Sequence, residues 1–82
     1  VSPVATLEHT ARVLGWEVRR PAFNSVVMWK AGCMIDVTLT PQGYVNHAER
    51  YEFVRLDDLH FREHATGKHK KATITGWLAT DW

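Results

Sequence analysis

Between residues 33 and 45 the chain alternates apolar and polar side chains, Cys-Met-Ile-Asp-Val-Thr-Leu-Thr, meets Pro-Gln-Gly, and resumes with Tyr-Val. A period of two is the pattern of a β-strand with unlike faces, and the interruption is turn chemistry, so the segment reads as a β-hairpin. Proline cannot take the positive φ of a type I′ turn. Pro41-Gln42-Gly43 is therefore expected as a three-residue loop, a type I turn closed by glycine in the left-handed region. That loop pairs Thr40 with Tyr44. Outward from it, one face receives the pairs Leu39–Val45, Val37–His47, Ile35–Glu49 and Cys33–Tyr51, and the other Thr38–Asn46, Asp36–Ala48 and Met34–Arg50.

Upstream, residues 26–30 are rich in β-formers, and Ala31-Gly32 is short enough for a tight connection into the hairpin. A two-residue loop there sets Met28 beside Ile35 and Trp29 beside Met34. Neither face is then purely polar. A sheet with one solvated face alternates more cleanly, so both sides are expected to be at least partly covered, one by a helix and the other by the C-terminal segment or a second copy of the chain.

The helix is expected near the N-terminus. Ser2 can cap it and Pro3 suits its first position. Val4, Leu7, Ala11 and Leu14 form one apolar stripe, from which Glu8, His9 and Arg12 fall away. Gly15 stands where a left-handed C-terminal cap is wanted, with Trp16 able to fold back over the last turn. Residues 17–20 read as a short extended segment that Pro21 ends, followed by a turn at Asn24-Ser25.

Towards the C-terminus, Tyr51 and Phe53 continue a strand that Asp57-Asp58 breaks. Residues 59–64 and 71–78 then read as another hairpin, because Thr73-Ile74-Thr75-Gly76 favours strand over helix. The competing reading is an amphipathic helix carrying Ile74, Trp77, Leu78 and Trp82 on one stripe. The expected fold is a single α+β domain over residues 1–82. An N-terminal helix packs on an antiparallel meander of four or five strands, with a C-terminal segment that is strand or short helix.

Eighty-two residues bury only a small core, and a single cysteine excludes an internal disulfide. No stretch approaches the roughly 20 apolar residues that cross a bilayer as a helix. The chain begins at Val1 with no charged leader before an apolar run, so no signal peptide is visible, though one already trimmed leaves no trace. The lone thiol suggests a reducing cytoplasm. Net charge is +1, too small for a dedicated nucleic-acid binder, yet Arg62, Lys68, Lys70 and Lys71 cluster against one carboxylate, Glu63.

Five groupings are candidates for function. Cys33 with a histidine would make a thiolate dyad. The register separates it from His47 by four residues, about 13 Å at about 3.3 Å per residue, so a small buried hydrophobe is expected instead. His60 and His64 have ligand spacing on a helix but lie about 13 Å apart on a strand, and no Cys-x-x-Cys accompanies them; neither metal nor cofactor is implied. His47 and Glu49 are aimed at the apolar face, where unpaired polar groups are costly. Either a β-bulge near residues 46–50 or an edge position re-aims them, or they form a small polar pocket for a ligand or acid–base chemistry.

The basic turn His-Ala-Thr-Gly-Lys-His-Lys-Lys lacks phosphate-loop spacing. It can still contact phosphates through Arg62, Lys68, Lys70 and Lys71, with Phe61 or Trp77 available to stack on a base. Finally, Trp29, Met34 and Arg50 share the second sheet face as a candidate self-association patch. Together these point to a noncatalytic binding module for a macromolecule, foremost a nucleic acid or an acidic protein reached through the basic turn. The alternatives are a protein–protein inhibitor or adaptor using the aromatic face, and an oligomeric small-ligand protein or enzyme with His47 and Glu49 in a pocket.

Overall fold

Helix α1 spans Pro3–Val13 and is followed by five strands, β1 Glu17–Ala22, β2 Ser25–Lys30, β3 Cys33–Leu39, β4 Val45–Phe53 and β5 Leu59–Ala65, and by helix α2, Lys70–Ala79. The computed structural model describes residues 3–55 and 57–82, without the side chain of Pro3. The expected capping by Ser2 lies outside the described residues. The strands form one antiparallel meander in the order β1-β2-β3-β4-β5. This is the expected α+β class, with the C-terminal segment resolved as a helix.

Helix α1 buries Val4, Leu7 and Ala11, while Leu14 at the end of the stripe stays 37% exposed. It ends in a Schellman motif: the N–H of Trp16 donates to the carbonyl of Ala11 (2.9 Å) and that of Gly15 to Arg12 (3.1 Å). Trp16 does fold back, and its indole N–H donates to the carbonyl of Leu78 at 3.0 Å, tying α1 to α2. Glu8, expected to face away from the core, is buried and accepts from Nη2 and Nε of Arg20 in a fork, at 2.9 and 3.1 Å.

The Ala31-Gly32 turn is as tight as expected. Both residues have positive φ, 50° and 81°, and Met28–Ile35, Trp29–Met34 and Lys30–Cys33 face each other across it. Glycine is required at 32, since a Cβ there would sit 2.9 Å from the carbonyl oxygen of Phe53.

The 41–43 loop also closes as read. The N–H of Gly43 donates to Thr40 (2.9 Å), that of Thr40 to Tyr44 (2.7 Å), and Leu39 pairs with Val45. One residue later the expected register fails. Thr38 pairs with His47 rather than Asn46, and the shift carries through Val37–Ala48, Asp36–Glu49, Ile35–Arg50 and Met34–Tyr51. Asn46 is the extra residue of a β-bulge. A bulge exchanges the two faces of everything beyond it, so Ala48 and Arg50 turn inward and His47, Glu49 and Tyr51 turn outward.

The reason lies in the packing. Ala48 and its β5 partner Ala65 are both buried beneath α2, and two small side chains let the helix approach the sheet. Helix α2 places Ile74, Trp77 and Leu78 in the core, although Thr73-Ile74-Thr75-Gly76 has strand propensity. Burial of that i, i+3, i+4 stripe outweighs a propensity deficit of a few tenths of a kcal/mol per residue, about 1 for glycine. Both helices cover the same sheet face, where Val26, Met28, Cys33, Ile35, Val37 and Leu39 are buried. The expectation that the C-terminal segment shields the opposite face is thus overturned.

Candidate functional site: the open face of the sheet

Among the described residues nothing packs over the second face, and the bulge assembles it. Trp29 pairs with Met34, Met34 with Tyr51, and Tyr51 with Phe61, making an aromatic and thioether row across four strands. Tyr51 and Phe61 meet edge to face with ring centroids 5.8 Å apart, and His64 stacks on Phe61 at 6.0 Å. A second bulge makes this possible: β5 carries Arg62 as an extra residue between the Tyr51–Phe61 and Arg50–Glu63 pairs. Phe61 is 52% exposed and Leu59, at the end of the face, 39%.

The adjoining row is polar except at Val27: Arg19, Val27, Asp36, Glu49 and His64 succeed one another across all five strands. Asp36 and Glu49 are direct cross-strand neighbours. His47 Nε2 lies 3.0 Å from Glu49 Oε1, the Tyr51 hydroxyl donates to Glu49 Oε2 at 3.4 Å, and the Ser25 hydroxyl donates to Asp36 Oδ1 at 3.3 Å. Burial raises the Asp36 carboxyl above its ordinary range, Glu49 adds to this, and Ser25 and His47 oppose it. Burial likewise raises the Tyr51 phenol, with Glu49 contributing.

His47 and Glu49 are therefore placed together, but on an open surface. They line neither of the two best-formed clefts among the described residues. One, of about 260 Å³, lies against α1 and α2 between Thr6, Leu7, Thr10, Val45, Lys71 and Thr75. The other, of about 280 Å³, lies beside the Ala31-Gly32 turn and includes His60 and Arg62.

The expected patch of Trp29, Met34 and Arg50 is divided, since Trp29 and Met34 stand on the open face while Arg50 points to the helix side. There Arg50 is 6% exposed and held by Glu63 at 2.8 Å and Glu52 at 3.4 Å. Trp82 covers it, the guanidinium carbon 4.2 Å from the ring centroid, and the Trp82 indole N–H donates to the carbonyl of Trp77 at 2.7 Å. Tyr51 and Phe61 take the place of Arg50 on the open face. The expected bulge near residues 46–50 accounts for Tyr51, and the second bulge at Arg62 for Phe61.

The basic residues are also distributed. Arg62 Nε is 3.2 Å from Glu52 and belongs to the Arg50–Glu63 side of the molecule. Lys68 lies in the loop before α2, Lys70 donates to the carbonyl of Gly67 at 3.2 Å, and Lys71 borders the α1–α2 cleft. No ion pair among the described residues involves these three lysines.

Cys33 is 1% exposed, and burial raises its thiol above the usual range against the opposing pull of Arg50, whose Nη1 is 4.0 Å from the sulfur. A thiol held protonated is a poor nucleophile. His60 and His64 are both on β5, so the helical ligand spacing does not apply; His60 Nε2 sits 3.4 Å from Asp58. No helix among the described residues is long and apolar enough to cross a membrane. Compared with known protein families, curated proteins and solved structures, the chain matches none.

Proposed function

We propose that this chain is a protein-binding module whose docking surface is the open sheet face. One observation carries the reading: on the sheet face that neither helix covers, Trp29, Met34 and Tyr51, each half-buried, run in one row into Phe61, which is 52% exposed. A contiguous row of large apolar side chains left partly open to water on a small domain is unfavourable by itself and marks a candidate interaction site. Aromatic side chains on a rigid sheet lose little conformational entropy when a partner immobilises them, which suits them to interface anchors. A cytoplasmic setting is part of the same proposal, since the single thiol is buried and has no partner for an internal disulfide.

The experiment replaces Phe61 with a photo-crosslinking phenylalanine analogue and compares it with the same analogue at Val13, which is 70% exposed on α1. In cells that naturally produce the protein, the Phe61 probe should yield a discrete crosslinked product that the Val13 probe does not. Crosslinking from Val13 alone, or from neither position, overturns the proposal.

A second reading, polyanion contact through Lys68, Lys70 and Lys71, draws on the absence of carboxylate partners for these lysines among the described residues. Cations at the start of α2 also lie at the positive end of the helix dipole, an arrangement that disfavours the helix and favours an incoming anion. Loss of nucleic-acid binding in a Lys70→Ala, Lys71→Ala variant is its test.

A further inference from the structure

Most carboxylates of this molecule have an arginine. Glu8 pairs with Arg20, Glu17 with Arg19, Glu52 with Arg50 and Arg62, Asp57 with Arg55, and Glu63 with Arg50. Four do not, among the described residues: Asp58 and Asp81, which lie outside the sheet, and Asp36 and Glu49 within it, whose contacts are Ser25, Tyr51 and His47. Yet Asp36 and Glu49 stand directly opposite each other on neighbouring strands, where like charges are destabilising. They also border the aromatic row on the sheet face that no described residue covers.

We infer that the open face docks an arginine-bearing segment of a partner protein, its guanidinium bridging Asp36 and Glu49 and its apolar neighbours lying on Trp29, Met34, Tyr51 and Phe61. This rests on the reading of that face as a docking surface and specifies the chemistry of the partner.

Charge complementarity decides among occupants. With His47 and His64 counted as neutral, the face carries three carboxylates, Glu17, Asp36 and Glu49, against one cation, Arg19, which is already held by Glu17 at 2.7 Å. A nucleic acid is repelled from such a surface. A second copy docked face to face about a two-fold axis would bring a net-negative surface against itself. A cationic segment, in contrast, relieves the Asp36–Glu49 repulsion as it binds. Arginine suits the site better than lysine, because a planar guanidinium can donate to two carboxylates at once while stacking on an aromatic ring, and it is more weakly hydrated than an ammonium. The raised Asp36 carboxyl agrees with this, since a cation above it would supply the stabilisation that the carboxylate lacks.

The test selects random displayed peptides on the intact wild-type chain, then measures binding of the recovered peptides to three variants: Phe61→Ala, Trp29→Ala, and the double substitution Asp36→Asn with Glu49→Gln. Circular dichroism and thermal melting confirm that each is folded. Recovered peptides should be enriched in arginine beside apolar residues, and both the double substitution and an arginine-to-citrulline change in the peptide should weaken binding about tenfold.

Peptides that need Trp29 and Phe61, show no excess of arginine and bind the double variant unchanged overturn this inference while the docking face stands. Peptides indifferent to Trp29 and Phe61, or no recovered peptides, overturn both. Concentration-dependent dimerisation that Phe61→Ala abolishes assigns the face to a second copy and also overturns the inference.

Discussion

Asp36 and Glu49 face each other across β3 and β4, and their electrostatics can be measured without any partner. Removing one charge should stabilise the free protein. Asp36→Asn keeps the shape and an oxygen for the Ser25 hydroxyl, and the expected gain at neutral pH is about 0.2–1 kcal/mol, the range for cross-strand charge pairs. The sign of the pH dependence follows from the direction of the shift. A carboxyl raised in the folded state favours folding while protonated, and that contribution is lost as pH rises through its folded value. Asp36→Asn should therefore be more stable than wild type at pH 7, and the advantage should vanish as pH falls below the ordinary carboxylate range. Urea denaturation of both proteins across that range checks it; a variant less stable at pH 7 would show that the Ser25 and His47 contacts outweigh the repulsion.

At the scale of elements, the Asn46 bulge determines which side chains β4 shows to which side. Deleting Asn46 would join the Leu39–Val45 pair directly to Thr38–His47, giving a regular ladder in which Ala48 and Arg50 stay inward and His47, Glu49 and Tyr51 stay outward. The deletion should therefore keep cooperative thermal unfolding, and Asn46→Ala, at an exposed position, should stay within about 0.5 kcal/mol of wild type. Ala48→Glu, which buries a carboxylate on the helix-covered face, should instead cost several kcal/mol, a large part of the about 5–15 kcal/mol that holds a small domain together, and thermal melting of the three variants measures the difference.

The same bulge marks where sequence reasoning stops. Both turns, the strand order, the apolar face of β3 and the helix stripe were legible, because turn geometry and periodicity are local. Local pattern left β4 with three readings, a bulge, an edge position or a small polar pocket; β4 lies inside the sheet, and the bulge that puts Ala48 on the helix-covered face is the one realised. Helix α2 depends on tertiary burial of Ile74, Trp77 and Leu78 against its own propensity. Trp29 and Met34 were legible as surface candidates. Phe61 was legible only as a stacking residue beside the basic turn, and Tyr51 was assigned to the apolar face; two bulges bring them together on the open one.

At the scale of the whole molecule, the two candidate surfaces differ in sign and position. The open face is net negative and aromatic. Lys71 borders the cleft between the helices, on the covered side of the sheet, with Lys68 and Lys70 beside it in sequence. Surfaces so separated should respond independently to salt and to substitution. If the basic turn contacts phosphates, binding of a short single-stranded DNA should weaken with a log–log salt slope of about −2, set by three lysines at about 0.7 counterions each. Lys70→Ala with Lys71→Ala should abolish most of that binding and leave peptide binding at the sheet face unchanged. Phe61→Ala should do the reverse. Peptide affinity at the face, carried mostly by apolar burial, should vary far less over the same salt range, because salt screens exposed charges while leaving the hydrophobic contribution in place. Fluorescence anisotropy of both ligands on the three proteins measures this. DNA binding that is absent at low salt removes the basic turn from consideration, and loss of DNA binding in Phe61→Ala would mean that the two surfaces act as one.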